Sequence, residues 1–109
     1  MKIEMVDLTE LYRLREMLKR AGFRYEDYEE PEMGGATIKM PNYAEWLKGR
    51  DGVSVIQHRG SFGGPDGKLE VWIKPDMKEP EGWLTAQEAF DLISEKAGAV
   101  LGRWRTNGG

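Results

Sequence analysis

The chain has 109 residues, of which 39% are hydrophobic, and it carries a formal net charge of −3. This length supports a single hydrophobic core, and the hydrophobic share is that of a globular protein rather than a disordered one. The negative charge disfavours general nucleic-acid binding, which needs clustered lysine and arginine against the phosphates, although it leaves room for a local basic pocket.

The chain contains no cysteine, which excludes disulfides, thiolate nucleophiles and cysteine-bound zinc. No apolar run approaches the roughly 20 residues that a membrane-spanning helix needs. The N-terminal sequence MKIEMVDLTE lacks the apolar core of a signal peptide. We therefore expect a cytoplasmic protein without a membrane partner, and we expect no cofactor.

The first predicted element is a helix. Asp7 is a candidate N-cap with Glu10 three residues on, as in a capping box. Gly22 follows Lys19 and Arg20, which favours a helix end with glycine at the C′ position. The apolar stripe of this helix, which we expect to pack on a sheet, consists of leucines at three- and four-residue spacing: Leu8, Leu11, Leu14 and Leu18.

An acidic segment follows the helix, with five carboxylates in seven positions and no cation among them. Such a run is usually a solvated, mobile loop. The alternative is an acidic surface that mimics phosphate spacing or docks on a basic partner, with the tyrosines as anchors. Calcium or magnesium binding is a third interpretation, but the EF-hand spacing is missing. The candidate protein-binding residues of this acidic segment are Tyr25, Glu26, Asp27, Tyr28, Glu29, Glu30 and Glu32.

Three strands are predicted in the middle of the chain. Residues 36–40 alternate apolar and polar side chains. The segment YAEWLKGRDG, residues 43–52, has helical spacing at Tyr43, Trp46 and Leu47, which indicates a turn of helix or an irregular edge that ends at residues 49–52. Residues 53–73, VSVIQHRGSFGGPDGKLEVWI, predict two strands joined by a glycine-rich loop, with one apolar face. The Pro-Asp-Gly sequence at 65–67 is typical of a tight turn. We expect an antiparallel hairpin here.

A second long helix is predicted after a polar loop. Thr85 and Glu88 form a capping box, so the helix should begin at Thr85. Its expected buried stripe is Ala89, Phe90, Ile93, Ala97 and Val100 or Leu101.

The predicted fold is α+β, in the order α-β-β-β-α. A three-stranded antiparallel sheet with the N- and C-terminal helices on one face buries every apolar stripe in one two-layer core. We expect residues 1–102 to form this single domain and residues 103–109 to form a flexible tail, which contains Trp104 between two arginines.

His58 is the only histidine of the chain. Without a cysteine or an evident serine partner it is a poor basis for a catalytic triad, and metal sites normally use several strong nitrogen or sulfur ligands. We expect a surface strand residue at this position. The sequence therefore predicts no enzyme and no metal site, with a small hydrolase built on two carboxylates as a minor alternative.

The glycine-rich loop after His58 has two interpretations. Its amides can form an anion-binding nest, with Arg59 on a phosphate and Phe62, Trp72 or Trp104 stacked on a base. Alternatively, the glycines only allow a wide hairpin loop. The loop has neither the GK[ST] ending of a P-loop nor the following helix of a dinucleotide fingerprint. The candidate ligand-binding residues are His58, Arg59, Gly60, Ser61, Phe62, Gly63, Gly64 and Trp72.

The segments SVIQHRGSFGGPDGKLEVW and EPEGWLTAQEAFDLI resemble a group of small uncharacterised proteins encoded in phages and prophages of gut bacteria. The shared pattern is an SVI strand, a GS[FY]GG loop, an LE-plus-aromatic strand and a GWLTA[EQ]E helix start. The resemblance covers roughly residues 53–93 and the first helix in outline, but neither the acidic segment nor the tail. It departs at Gln57, His58 and Arg59, so no ligand role is transferred to them.

The resemblance implies a phage context, in which small accessory proteins often act by binding. We therefore expect a non-enzymatic phage or prophage protein that inhibits a bacterial antiviral defence system by binding a host defence protein. The expected contact surface is the acidic segment or an exposed sheet edge. The alternative is a sponge that sequesters a nucleotide immune signal at the glycine loop, as a homo-oligomer that encloses the ligand.

Overall fold

The protein is described by a computed structural model at residues 4–48, 52–74 and 76–96. Its strands form one antiparallel sheet in which every strand pairs with its neighbours in sequence, in the order β1-β2-β3-β4-β5. The helices are α1 (Thr9–Arg20), α2 (Tyr43–Leu47) and α3 (Ala86–Lys96), and the strands are β1 (Glu26–Glu30), β2 (Gly35–Met40), β3 (Gly52–Gln57), β4 (Leu69–Lys74) and β5 (Glu81–Leu84).

The hydrophobic core lies between one face of the sheet and the two long helices. Alternate residues of each inner strand point to this face, because side chains along a strand alternate with a period of two. The three- and four-residue spacing of the leucines places them on the matching side of α1. The buried core residues are Leu8, Leu11, Leu14, Leu18, Phe23, Ala36, Ile38, Met40, Val53, Val55, Leu69, Val71, Ile73, Leu84, Ala86, Ala89 and Ile93.

Two predicted helix ends are confirmed in detail. Gly22 has a φ of 79°, and the amide of Phe23 donates to the carbonyl of Leu18, as in a Schellman motif. At the start of α3, the Thr85 amide donates to the Glu88 carboxylate at 2.9 Å and the Glu88 amide donates to the Thr85 hydroxyl at 3.2 Å. These bonds satisfy main-chain groups that a helix end otherwise leaves unpaired.

The predicted start of α1 is wrong. The helix begins at Thr9 with Leu8 as its N-cap residue, and Asp7 instead accepts bonds from the amide (3.0 Å) and hydroxyl (2.6 Å) of Thr9. Glu10, the predicted partner in the capping box, accepts a bond from the amide of Ala86 at 2.9 Å. Glu10 therefore connects the first turns of α1 and α3 rather than capping its own helix.

The predicted number of strands is also wrong, although the α+β class and the antiparallel sheet are confirmed. The three predicted strands are β2, β3 and β4, with the expected hairpin between β3 and β4. Residues 26–30 of the acidic segment, which was first interpreted as a loop, form β1 in continuous register with β2, and Glu32 lies in the 3-10 turn that follows. β5 adds a strand on the other side, with an irregularity in its pairing. Neither added strand has the apolar alternation that identifies a strand in sequence.

Of the two interpretations of residues 43–52, the helical turn is the one observed, as α2. Ala89 and Ile93 are buried in α3 as expected. Several predictions lie outside the described residues, namely the later part of the α3 stripe (Ala97 and Val100 or Leu101), the domain boundary at 102, the tail and Trp104. Of the helices that the structure describes, none is long and apolar enough to cross a membrane.

Candidate functional site

The acidic segment lies along an edge of the sheet. In the described part of the chain, β1 pairs with β2 on one side and with no strand on the other. Four of its five residues are exposed. The outer side of an edge strand presents amide and carbonyl groups that have no partner in the sheet. The acidic segment and the exposed sheet edge, which were separate expectations, are therefore one surface.

The side chains of β1 point alternately to the two faces of the sheet. Asp27 faces α1, where its carboxylate lies 2.9 Å from the guanidinium of Arg15. Glu26 and Tyr28 lie on the opposite face, where the Glu26 carboxylate accepts bonds from the Tyr43 amide (2.9 Å) and the Tyr28 hydroxyl (2.8 Å). The hydrogen bond from the Tyr43 amide, and to a lesser extent that from the Tyr28 hydroxyl, lowers the pKa of Glu26. The geometry keeps this carboxylate ionised at the edge of the sheet.

A depression lies on each side of β1. The one on the side of α1 has a volume of about 120 Å³, and its lining includes the apolar residues Leu11, Ala36 and Ile38. The one on the opposite face is an open groove of about 380 Å³. Three carboxylates and two tyrosine rings line this acidic groove: Glu29, Glu30, Glu32, Tyr28 and Tyr43. The depression toward α1 therefore combines an apolar wall with the Arg15–Asp27 ion pair and Glu29, whereas carboxylates and tyrosines line the groove on the opposite face.

A buried lysine lies next to the acidic groove. Lys39, on the face of the sheet opposite α1 and α3, is only 6% exposed. Its ammonium donates to the hydroxyls of Thr37 at 2.6 Å and Ser54 at 2.8 Å. Burial lowers the pKa of Lys39 to about 8, which the charge of Glu30 partly opposes and the charge of Lys74 reinforces. None of the ion pairs in the described structure involves Lys39.

Aromatic rings cover this lysine. The Lys39 ammonium lies 5.7 Å from the ring centroids of both Tyr43 and Trp46. The Lys74 ammonium lies 4.0 Å from the ring centroid of Trp46 and 5.0 Å from that of Trp72. We refer to these five residues as the lysine–aromatic cluster. Because cation–π contacts contribute about 0.5–2 kcal/mol each, the cluster holds α2 against the second face of the sheet. The predicted two-layer arrangement is thus incomplete, because α2 covers part of the face of the sheet opposite α1 and α3.

Sequence reasoning missed the lysine–aromatic cluster. In the alternating run of β2, Lys39 occupies a position opposite to the apolar side chains, which normally indicates exposure to water. Its burial depends on Ser54 across the sheet and on Trp46 from α2, neither of which is a neighbour in sequence. No local signal identifies such a contact.

The glycine-rich loop does not present a row of free amides. The Gly60 amide donates to the His58 ring nitrogen Nδ1 at 3.0 Å, and the Ser61 amide donates to the His58 carbonyl at 3.2 Å. The Phe62 amide donates to the Glu70 carboxylate at 2.8 Å. A carboxylate of the protein itself therefore occupies one of the positions expected for a phosphate. His58 is buried, so the expectation that it is a surface residue is wrong.

The remaining loop residues also have partners within the protein. Gly63 and Gly64 are buried, and Gly67 has a φ of 76°, which confirms the predicted turn at 65–67. The Arg59 guanidinium reaches a main-chain carbonyl of the N-terminal segment at 3.4 Å. The Phe62 ring stacks on Trp83 at 5.9 Å. These contacts favour the interpretation in which the glycines allow a wide hairpin loop.

Trp72, a second predicted base-stacking residue, belongs to the lysine–aromatic cluster. Its indole N–H donates to the main-chain carbonyl of Met77 at 3.0 Å. Tyr25, assigned to the acidic segment, is partly buried against the core instead of standing free at the edge. Of the two predicted aromatic anchors in that segment, only Tyr28 is exposed, at 45%.

Neither a metal site nor a comparison with known proteins identifies a function for this edge. Within the described residues, no group of three or more histidine, cysteine, aspartate or glutamate side chains is placed to hold a metal ion. The chain matches no protein-family model, no curated protein and no solved structure. The resemblance to phage proteins therefore stays a prediction, and the geometry of the edge strand is the basis for assigning a function.

Proposed function

We propose that the protein is a non-enzymatic binding protein that docks on a basic surface of another protein through its acidic segment. The observation that supports this proposal is an exposed edge strand whose residues are almost all acidic. In the phage context implied by the sequence resemblance, the partner is a bacterial defence protein and binding inhibits it.

The charges of the acidic segment are largely uncompensated within the protein. In the described part of the chain, its only ion pair joins Asp27 to Arg15. Charged groups that are not neutralised within a protein attract an oppositely charged partner and accelerate the encounter. Tyr28, exposed beside them, supplies an aromatic ring of the kind that is enriched at binding hot spots. Together these groups form a surface suited to a basic partner.

The geometry of the glycine-rich loop favours protein binding over nucleotide sequestration. Three of the loop amides are bonded to His58 or Glu70. A phosphate would have to displace the Glu70 carboxylate before it bonded the Phe62 amide. We therefore expect no change in melting temperature when the protein is mixed with cyclic di- and trinucleotides or ADP-ribose derivatives. A clear rise with one of these compounds would favour the sponge instead, because a ligand of the folded state raises its stability.

Reversing three charges tests the proposal. The variant E29K/E30K/E32K is expected to bind the host partner at least about tenfold more weakly, since attraction is replaced by repulsion at the edge. The partner is first identified by pull-down from host lysate with the parent protein. The affinity of the partner for the parent and for the variant is then measured by titration calorimetry. Inhibition of the partner by each of these two proteins is measured as well.

The matched control is E79K/E81K/E95K, which reverses three exposed carboxylates on or near β5, at the opposite edge of the sheet, and changes the net charge equally. We expect this control to bind within about threefold of the parent, because charges beyond a Debye length of roughly 10 Å are largely screened. Equal affinity of the parent and E29K/E30K/E32K for the partner would show that the acidic segment is the wrong surface.

A further inference from the structure

We infer that the partner binds as an added strand: an extended segment pairs with β1 and alternates basic side chains in the acidic groove with small apolar side chains toward α1. This inference rests on the proposed function and specifies the mode of binding. It follows from three features of the edge, namely its regular backbone, its charge and the different chemistry of its two faces.

The backbone of β1 is suited to pairing. All five of its residues are in continuous antiparallel register with β2. Edge strands are commonly protected by prolines, lysines or bulges, and β1 contains none of these. The opposite edge differs, because β5 has only four residues and Trp83 has a φ of 56°, which interrupts an extended conformation. Of the two edges, β1 is therefore the one that can receive a new strand.

The charge of β1 selects the occupant. A second copy of the chain paired along the same edge would bring two rows of carboxylates together, and like charges opposite each other destabilise a strand pair. A basic segment reverses the sign of that interaction. The edge is thus protected against self-association by its charge while its amides and carbonyls stay accessible, which points to a positively charged extended segment.

The acidic groove suits a lysine or arginine side chain. Tyr28 and Tyr43 contact each other edge to face, with ring centroids 5.8 Å apart. Their surfaces can pack against the aliphatic part of a long basic side chain, while Glu30 and Glu32 bind its charged end. Alternate residues of an added strand would point into this groove.

The depression toward α1 suits a small apolar side chain. Its volume of about 120 Å³ is a third of that of the acidic groove. The Arg15 guanidinium lies at its rim, 4.6 Å from the ring centroid of Tyr12. Asp27 pairs with this charge, which leaves Glu29 as the remaining carboxylate of the lining, against three carboxylates in the acidic groove. The neighbouring Leu11 and Ile38 favour an apolar side chain here. In strand addition, main-chain bonds give affinity and such alternating sites give specificity.

The test uses synthetic peptides of seven residues in place of the partner. The peptide KVKVKVK is compared with KKVVVKK, which has the same composition but lacks the alternation, at concentrations where circular dichroism shows both free peptides to be unordered. We expect the alternating peptide to bind the parent protein at least about tenfold more tightly by titration calorimetry. Binding to E29K/E30K/E32K should be lost, and binding to E79K/E81K/E95K should be kept.

Two N-methylated forms of KVKVKVK test the pairing itself. One is methylated on the amides of the lysines and the other on those of the valines. A strand bonds its neighbour through the amides of alternate residues, so one form should lose binding and the other should keep it. Equal binding of both forms, or of the alternating and block peptides, would overturn strand addition. The proposed function would stand in that case, since its own test is the effect of the charge reversal on binding to the host partner.

Discussion

Replacing Gly35 with alanine is expected to prevent stable folding. A β-carbon at this position would lie 1.8 Å from the carbonyl oxygen of Gln57 and 2.6 Å from the Cα atom of His58. Both are backbone atoms, so neither can move aside by a change of rotamer. Relief of the contact would require β2 and β3 to separate at the place where Ala36 pairs with Gln57.

The expected loss of unfolding free energy is more than about 4 kcal/mol, which exceeds ordinary overpacking of about 1–3 kcal/mol. This is a large part of the roughly 5–15 kcal/mol that stabilises a typical domain. Urea denaturation followed by circular dichroism measures the change. Gly60→Ala is the control, because its β-carbon would lie 3.5 Å from the His58 ring, an ordinary contact. Equal midpoints for Gly35→Ala and the parent would contradict the close approach of β2 and β3.

Replacing Lys39 with methionine is expected to stabilise the protein at pH 7. The side chains have similar length, but methionine does not place a charge in a buried position. The pKa of Lys39 falls from 10.5 to about 8 on folding, mainly because burial disfavours the charged form. At pH 7 the charged Lys39 therefore lowers the free energy of unfolding by on the order of 3 kcal/mol. Loss of the hydroxyl bonds and cation–π contacts offsets part of the gain, which leaves roughly 1–3 kcal/mol.

The dependence of stability on pH tests whether the buried charge of Lys39 causes the difference between Lys39→Met and the parent. The pKa of Lys39 is lower in the folded state, so the unfolded chain binds more protons between pH 8 and 10.5. The stability contributed by this group therefore rises with pH across that range. In urea titrations at pH 7 to 10, the advantage of Lys39→Met over the parent should shrink as the pH increases. The exposed Lys78→Met serves as the control and should change little at any pH. A Lys39→Met protein that is less stable than the parent at pH 7 would show that the ammonium is net stabilising.

The confirmed sequence predictions involve residues whose signals are local. The β3–β4 hairpin follows from the alternation around Val55 and Val71, and the start of α3 follows from the pairing of Thr85 with Glu88. In each case a few neighbouring residues determine both the conformation and its hydrogen bonds.

The wrong predictions involve segments that owe their structure to distant parts of the chain. β1 consists of residues with low strand propensity, and its extended form depends on pairing with β2 and on the bond between Glu26 and the Tyr43 amide. Glu10 has the spacing of a capping box, but the amide of Ala86 is a competing partner that only the folded domain provides. Sequence patterns identified the acidic segment as a candidate surface, whereas its place on a sheet edge required the structure.

The contact between α1 and α3 has a consequence for folding during synthesis. Every strand pairs with a neighbour in sequence, so the sheet can assemble progressively as the chain leaves the ribosome. α3 carries the last described part of the core. It reaches α1 through the Glu10–Ala86 bond and the segment after α1 through the Phe23–Phe90 ring contact at 6.5 Å. A nascent chain that ends before α3 keeps part of its leucine-rich helix uncovered. The docking of α3 is therefore the step that covers this apolar surface.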